Sequence, residues 1–260
     1  MKKFLHVLTF TALISGIPHG NLWAMGVESE KELKIGQAFI APEGFDDNDN
    51  VQVVLDGMLP NLCYELGRTK VNVDRHQHLI RIQQFAVKKN IKGCEEEAAW
   101  PVPFQQEVFL GQLPAGQYSI DYSQKDKEAK REFKVIRAQA PGSVDETLYA
   151  PITNVFIPEM TYATDEGEVA LTGVLPSPCL ALYPEKIQVR KFNDVIVVLP
   201  ELTRLAGAND PQCTYVLSPL NVVAPLGSLT PGRYLLHVRS MTGRAVNRVF
   251  TVLPKLPNSR

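Results

Sequence analysis

The chain has 260 residues, of which 27 are basic and 28 are acidic, so its formal net charge at pH 7 is −1. This balance argues against nucleic acid as a partner, because nucleic-acid-binding domains carry an excess of Lys and Arg. Hydrophobic residues make up 45% of the sequence, and the length fits two domains of ordinary size.

Residues 1–24 predict a secretory signal peptide. Lys2 and Lys3 form a basic start, residues 4–17 are mostly apolar, and Ala24 is a small residue at a plausible cleavage point. The apolar segment is shorter than the about 20 residues that a transmembrane helix needs, and no later stretch approaches that length. We therefore expect a periplasmic or secreted protein with no membrane span after signal cleavage.

The rest of the sequence contains one pattern twice. The pattern V-x-L-x-G-x-L-P-x-x-C occupies residues 53–63 and again residues 169–179, an offset of 116 (169 − 53). The pattern L-G-x-L-x-x-G-x-Y follows at residues 110–118 and, with the same offset, at residues 226–234. Self-similarity at a fixed offset indicates repeated structural units. The sequence therefore predicts two copies of one domain.

Each copy contains short segments with alternating or β-branched residues, bounded by Pro, Gly, Asn and Asp, which are typical of strands. About seven such strands in about 100 residues favour an immunoglobulin-like sandwich. We therefore predict an all-β chain of two tandem immunoglobulin-like β-sandwich domains, each with about seven strands and one disulfide. The predicted bounds are residues 25–137 for the first domain, 138–150 for the linker and 151–260 for the second domain.

Four cysteines lie in the two copies, Cys63 and Cys94 in the first and Cys179 and Cys213 in the second. An exported chain meets an oxidising compartment, and four cysteines allow three pairings. The repeat favours Cys63–Cys94 and Cys179–Cys213, because a pairing between domains would break the symmetry of the copies. Each disulfide closes a loop of about 30 residues, which contributes about 3–4 kcal/mol in the chain-entropy model.

Two glycines and two tyrosines of the repeated pattern have predicted structural roles. Gly116 and Gly232 each precede a strand, and we expect them to form a tight turn with positive φ, which glycine adopts freely. Tyr118 and Tyr234 are expected to pack at the corner that follows this turn.

The repeated pattern resembles a module found in exported bacterial proteins of unknown function. Residues 175–179 and 225–234 match this module well, whereas the first copy has Leu62 where proline is usual. The chain is also loosely similar in fold to the immunoglobulin-like peptidase inhibitors of some bacteria. The resemblance implies a fold and no activity, since one fold serves many functions.

Residues that carry chemistry are few. His76, His78 and His237 are the histidines that follow the signal, and nucleophile elbows, phosphate loops and H-E-x-x-H motifs are absent from the sequence. We therefore predict that the chain is not an enzyme and that it binds no cofactor. Asp74 shares one side of an extended segment with His76 and His78, which would suit a metal ion, but we favour a hairpin turn there. Residues 46–50 resemble a calcium loop without its Gly and Glu, so we expect a solvated turn.

The loop around the second cysteine of the first copy is the strongest candidate for a partner surface. Loops carry function more often than strands, and tryptophan is favoured at binding hot spots. Two roles are open for the tryptophan of this loop: packing against the disulfide, which we favour, and direct contact with a partner. The candidate surface consists of Lys88, Lys89, Lys92, Glu95, Glu96, Glu97 and Trp100.

Three classes of function remain open. A non-catalytic binding or assembly module of the bacterial envelope, with a protein partner, is favoured by the tandem sandwiches and by the lack of a catalytic constellation. The alternative is a secreted immunoglobulin-like peptidase inhibitor, and a carbohydrate-binding protein or a cryptic enzyme ranks third. The oligomeric state and the identity of the partner do not follow from the sequence.

Overall fold

The computed structural model describes residues 30–90, 94, 100–123, 128–139, 147–163, 166–205, 213 and 215–255. These residues form an all-β structure of 19 strands and two single-turn 3-10 helices, Pro184–Lys186 and Met241–Gly243. The predicted signal peptide lies outside the described residues. Among those residues, no helix is long and apolar enough to cross a membrane.

The first half of the chain forms a small sheet and a large sheet. Its strands are β1 (Glu30–Leu33), β2 (Ile35–Phe39), β3 (Phe45–Asp46), β4 (Val51–Leu59), β5 (Tyr64–Asp74), β6 (Leu79–Lys88), β7 (Val102–Gly111), β8 (Gly116–Ser123) and β9 (Glu128–Ile136). The small sheet has the order β2-β4-β7, and the large sheet has the order β1-β6-β8-β9-β3, with β5 also paired to β6.

The second half repeats this arrangement. Its strands are β10 (Ile152–Phe156), β11 (Met160–Tyr162), β12 (Gly167–Leu175), β13 (Leu180–Ala181), β14 (Ile187–Lys191), β15 (Val195–Pro200), β16 (Thr203–Arg204), β17 (Ser218–Gly227), β18 (Gly232–Ser240) and β19 (Arg244–Leu253). The small sheet is β10-β12-β17, the large sheet is β11-β19-β18-β15-β14, and β13 and β16 form an additional two-stranded sheet. In each large sheet the central pair is parallel, β6 with β8 and β15 with β18.

Each half encloses an apolar core between its two sheets. Along β8 the core side chains are Tyr118, Ile120 and Tyr122, which alternate with half-buried polar residues. This period of two is expected of a strand with one buried face. In the second half the equivalent strand β18 contributes Tyr234, Leu236 and Val238 to its core.

The large sheet of the second half is buried on both faces. All six residues of β15 are buried. Ile196 and Val198 belong to the second core, whereas Val195, Val197 and Leu199 belong to the first. The outer face of this sheet therefore packs on the small sheet of the first half, and the four sheets stack in the order large, small, large, small. We call this contact the interface between the halves.

Two disulfides link the cysteines as the repeat predicts. Cys63 is bonded to Cys94 and Cys179 to Cys213, with sequence separations of 31 and 34 residues. In each half the disulfide ties the turn after the central strand of the small sheet to the loop that leads to its third strand. We call these two regions the stapled ends.

The prediction of positive φ at Gly116 and Gly232 is wrong. The glycines of the repeated pattern that have positive φ are Gly111 (73°) and Gly227 (64°), at the ends of β7 and β17. Gly116 serves a different purpose, because a Cβ atom there would lie 2.7 Å from the imidazole ring of His78. Close packing, not backbone conformation, explains this glycine.

The two tyrosines of the pattern pack at a corner, as the sequence predicts. The Tyr118 hydroxyl donates a hydrogen bond to the carbonyl oxygen of Pro114 at 2.9 Å. The Tyr234 hydroxyl donates in the same way to the carbonyl oxygen of Thr230, also at 2.9 Å. Each bond reaches back four residues and ties the start of a central strand to the turn before it.

Candidate functional site

The stapled end of the first half is held by local hydrogen bonds. The backbone N–H of Cys63 donates to the Asn61 side-chain oxygen at 2.9 Å. The backbone N–H of Lys89 donates to the carbonyl oxygen of Cys63 at 2.8 Å. The turn after β4 is therefore tied to the end of β6 by the main chain as well as by the disulfide.

Large apolar side chains are exposed at this stapled end. Trp100 is 81% exposed, Leu62 is 69% exposed and Met58 is 56% exposed. The favoured prediction for Trp100 is therefore wrong, because an indole with this exposure does not pack against the disulfide. Met58 lies opposite Pro103 in the β4–β7 ladder, so the apolar surface continues from the turn onto the edge strand.

The basic residues of the predicted partner surface border these apolar side chains. Lys88 is exposed at the end of β6, and the ammonium of Lys89 donates to the carbonyl oxygen of Leu62 at 3.3 Å. The remaining predicted members, Lys92, Glu95, Glu96 and Glu97, lie outside the described residues. We call the exposed set Met58, Leu62, Lys88, Lys89 and Trp100 the partner surface.

The stapled end of the second half also exposes apolar side chains. Tyr215 is 81% exposed, Leu217 is 62% exposed and Leu205 is 54% exposed. The described residues of the loop that carries them are uncharged, and the exposed Arg204 lies directly before this loop at the end of β16. Among the described residues of the two ends, lysines therefore accompany the exposed apolar side chains in the first half, and an arginine does so in the second.

The two stapled ends lie at opposite ends of the molecule along the direction of the strands. The end of β4 leads to Cys63, whereas the start of β4 lies beside the end of β18, where Asp49 binds Arg239. At the end of β18, the Ser240 hydroxyl donates a hydrogen bond to the carbonyl oxygen of Ile152 in β10. Ile152 pairs with Gly173, near the end of β12, and β12 leads to Cys179. A partner at one stapled end therefore does not reach the other.

Ion pairs join the two halves; the pair Arg239–Asp49 is buried and the pair Arg233–Asp56 is partly exposed. Arg239 donates to both carboxylate oxygens of Asp49, at 3.0 and 2.7 Å, and the two side chains are 6% and 1% exposed. Arg233 binds Asp56 in the same two-point manner at 2.7 and 2.5 Å. Burial raises the pKa of Asp49, although the hydrogen bonds and the charge of Arg239 act to lower it. Paired guanidinium and carboxylate groups of this geometry fix the register of the contact.

His237 lies in the same interface as a neutral ring. Asn247 donates its amide hydrogens to Gln52 and Glu107 of the first half, so its oxygen accepts from Nδ1 of His237 at 2.8 Å. Burial, and to a smaller extent the charge of Arg239, lower the pKa of His237 to about 4. The interface therefore holds an uncharged imidazole at neutral pH.

The two predicted candidates for metal binding are turns. Asp74 Oδ1 accepts backbone hydrogen bonds from His76 and Gln77, both at 3.0 Å. The ring of His78 packs on Tyr118, with ring centroids 4.8 Å apart. In the part of the chain that the structure describes, no group of three or more His, Cys, Asp or Glu side chains is placed to hold a metal ion.

The acidic run at residues 46–50 is built into the interface and its turn. The carboxylates of Asp46 and Asp47 each accept a backbone hydrogen bond at 2.8 Å. Asp49 is occupied by Arg239. These oxygens stabilise the turn between β3 and β4, which agrees with the expectation of a turn but not with a fully solvated one.

The interface residues are not predicted from the sequence, and neither are Met58 and Leu62 as members of the partner surface. The uninterrupted apolar run at residues 195–199 is a signal for the interface, because a strand buried on both faces loses its alternation. Comparisons of the chain with family models, with curated proteins and with solved structures find no match.

Proposed function

We propose that the chain is a non-catalytic binding or assembly module of the bacterial envelope, exported by residues 1–24, and that it binds a protein through the partner surface. The observation that carries this proposal is the exposure of Trp100, Leu62 and Met58 at one stapled end. Contiguous exposed apolar side chains rimmed by polar residues mark interaction sites.

The chemistry of the partner surface favours a protein partner. Full burial of a Leu or Met side chain contributes about 1.5–3 kcal/mol, and tryptophan is enriched at positions that dominate binding energy. Lys88 and Lys89 at the rim favour a partner with acidic groups, because rim charges steer association. The disulfide and the backbone hydrogen bonds of Cys63 hold the turn in place, which lowers the entropy lost on binding.

The proposal includes two tandem immunoglobulin-like domains, residues 25–137 and 151–260, joined by a linker at residues 138–150. The corner hydrogen bonds of Tyr118 and Tyr234 support it, because a tyrosine that bonds back to the chain a few residues earlier is a hallmark of immunoglobulin folds. The parallel pairs β6–β8 and β15–β18 depart from the two antiparallel sheets of that fold. The fold is therefore a variant in which the central pair is rearranged.

Site-specific photo-crosslinking tests the binding function. A photoreactive phenylalanine analogue replaces Leu62 in cells that produce the chain, and covalent adducts are identified by mass spectrometry. The same probe is combined with Trp100→Ser and, as the matched control, with Tyr215→Ser, since both aromatic side chains are 81% exposed and lie at opposite stapled ends.

We expect one reproducible protein adduct, reduced about tenfold or more by Trp100→Ser, as for a binding hot spot, and unchanged by Tyr215→Ser. An adduct that is a peptidase would instead support the inhibitor. The absence of any adduct, or equal adducts with and without Trp100, would contradict a partner surface at this end.

A further inference from the structure

The small sheet of the second half exposes its outer face. Phe156 of β10, Ala170 of β12 and Val223 of β17 lie side by side in the register of this sheet. Phe156 is 60% exposed and Val223 is 50% exposed, and Val174 on the same face is 41% exposed. We call this surface the terminal face, because it ends the stack of four sheets.

The first half shows what covers the equivalent face. The corresponding row there is Phe39, Val54 and Glu107, by the same register. Phe39 is 0% and Val54 is 5% exposed, and Glu107 accepts a hydrogen bond from Asn247 across the interface between the halves. In the repeat, this face of a small sheet is therefore a packing surface for another sheet.

The charged residues on each open sheet face indicate which face the terminal face can bind. Of the residues of β10, β12 and β17 that point outward there, Glu168 is the charged one. The large sheet of the first half is the other open end of the stack, and its outer face presents Arg81, Asp121 and Lys130 in one row. Asp121 and Lys130 lie 3.8 Å apart, but covering them and Arg81 with apolar side chains would still remove the water that solvates these charges, at a cost of several kcal/mol. A head-to-tail stack is therefore disfavoured.

We infer that the terminal face binds the same face of a second copy of this chain, in a two-fold symmetric dimer. A two-fold contact places one patch against itself, so Phe156 and Val223, and the uncharged polar row Asn154, Thr172 and Asn221 beside them, meet uncharged side chains instead of a row of ions. The contact does not involve the partner surface, so the dimer can form whether or not the proposed binding function is correct.

The size of the terminal face predicts a weak dimer. The three strands lie about 4.8 Å apart; β12 and β17 have nine and ten residues and β10 has five, so at about 3.3 Å per residue the face measures at most roughly 14 by 30 Å. Two such faces bury an area near or below the about 1,200 Å² at the lower limit of specific interfaces. We therefore expect a dissociation constant in the micromolar range and a concentration-dependent assembly.

Sedimentation velocity of the purified chain between about 1 and 100 µM tests this inference. Val223→Lys places a charge in the centre of the contact. Ile136→Lys is the matched control, because Ile136 is also about half exposed (49%) and lies at the end of β9, in the large sheet of the first half at the other end of the stack. Circular dichroism verifies that both variants are folded.

We expect the wild-type chain and Ile136→Lys to convert from monomer to dimer over this range, and Val223→Lys to dimerise at least about tenfold more weakly. A wild-type chain that stays monomeric at about 100 µM would overturn the inference. Equal weakening by both variants, or none by Val223→Lys, would also overturn it, because the contact would then lie elsewhere.

Discussion

The outer faces of the two large sheets differ although the strands beneath them are equivalent. In the first half one cross-strand row is Asn72, Arg81, Asp121 and Lys130, and it faces solvent. In the second half the equivalent row is Arg190, Val197, His237 and Asn247, and its last three members are covered by the small sheet of the first half. Position in the stack, not strand order, sets the composition of each face.

This difference shows how the residues of one repeat unit are adapted to an open and to a covered position in the stack of sheets. An open sheet face keeps the alternation of apolar and polar residues, as in β6, where Ile80 and Ile82 are buried and Arg81 is exposed. A covered face replaces the polar positions, so that Val197 stands between Ile196 and Val198. The polar residues that remain in the covered face are paired with the first half, as Arg233 and Arg239 are.

We expect the largest loss of stability when Val197 of the covered face is replaced by arginine, the residue type found at the equivalent position, Arg81, of the open face. Val197→Arg buries a guanidinium among the apolar side chains that pack at Val197 in the interface, and we expect a loss of about 4 kcal/mol or more in the free energy of unfolding. The reverse change, Arg81→Val on the open face, is expected to stay within about 0.5 kcal/mol.

Urea unfolding of both variants measures this contrast. Val197→Thr is the milder replacement if Val197→Arg does not fold, and it should cost about 1–3 kcal/mol for a buried hydroxyl without a partner. Equal stabilities of Val197→Arg and Arg81→Val would show that the two faces are equally covered in solution.

Removing one member of the buried ion pair has the next largest expected effect. Arg239→Met leaves Asp49, which is 1% exposed, without its counter-charge, and should cost about 3–5 kcal/mol. The double variant Arg239→Met, Asp49→Leu should recover most of this loss, because two apolar side chains can replace a buried pair at little cost. A double variant no more stable than Arg239→Met would contradict a direct pairing in solution.

The interface also predicts a pH dependence. His237 has a pKa of about 4 in the folded chain and about 6.5 when unfolded. Between these two pKa values the folded state therefore binds fewer protons than the unfolded state. The contribution of His237 to the free energy of unfolding is fully present above about pH 6.5 and is lost, by on the order of 3 kcal/mol, as the pH drops from about 6.5 to about 4. The raised pKa of Asp49 acts in the opposite direction at the acid end, because folding then favours its protonation.

His237→Gln isolates this contribution, since glutamine does not titrate. Unfolding free energies measured from pH 7 down to pH 4 should fall less steeply in the variant than in the wild-type chain. Parallel curves would assign the acid sensitivity to other groups.

The smallest effect is expected on the open face. Lys130 lies 3.8 Å from Asp121, and its side chain is 67% exposed. Exposed pairs of this kind contribute about 0–1 kcal/mol, so Lys130→Ala should change the free energy of unfolding by no more than about 0.5 kcal/mol in 150 mM salt. A loss as large as that of Arg239→Met would indicate that something covers this face.

Much of the fold follows from local sequence, because strands need only an alternating pattern and turn residues at their ends. The repeat supplied the cysteine pairing, since each copy carries its own two cysteines. The interface between the halves was not predicted, because the partners Asp56 and Arg233 lie 177 residues apart and no local pattern links them. The apolar run at residues 195–199 indicated a doubly covered strand, but not what covers it.

The candidate site was predicted in part. The stapled loop and its lysines follow from charge and cysteine position, whereas the exposure of Trp100 does not, because an aromatic residue near a disulfide packs inward in many sandwiches. Met58 and Leu62 carry no sequence signal of their own, since isolated exposed apolar residues are common on protein surfaces. Their grouping with Trp100 exists only in the folded chain.

The covered face makes the stability of the second half depend on the folding of the first half. Hydrogen exchange with mass spectrometry, recorded in rising urea, tests this dependence by comparing peptides that contain β6 with peptides that contain β15. We expect both to lose protection at the same urea concentration, because unfolding of the first half uncovers Val195, Val197 and Leu199. Loss of protection in β6 while β15 remains protected would show that the second half is stable with its outer face open, and would contradict the account.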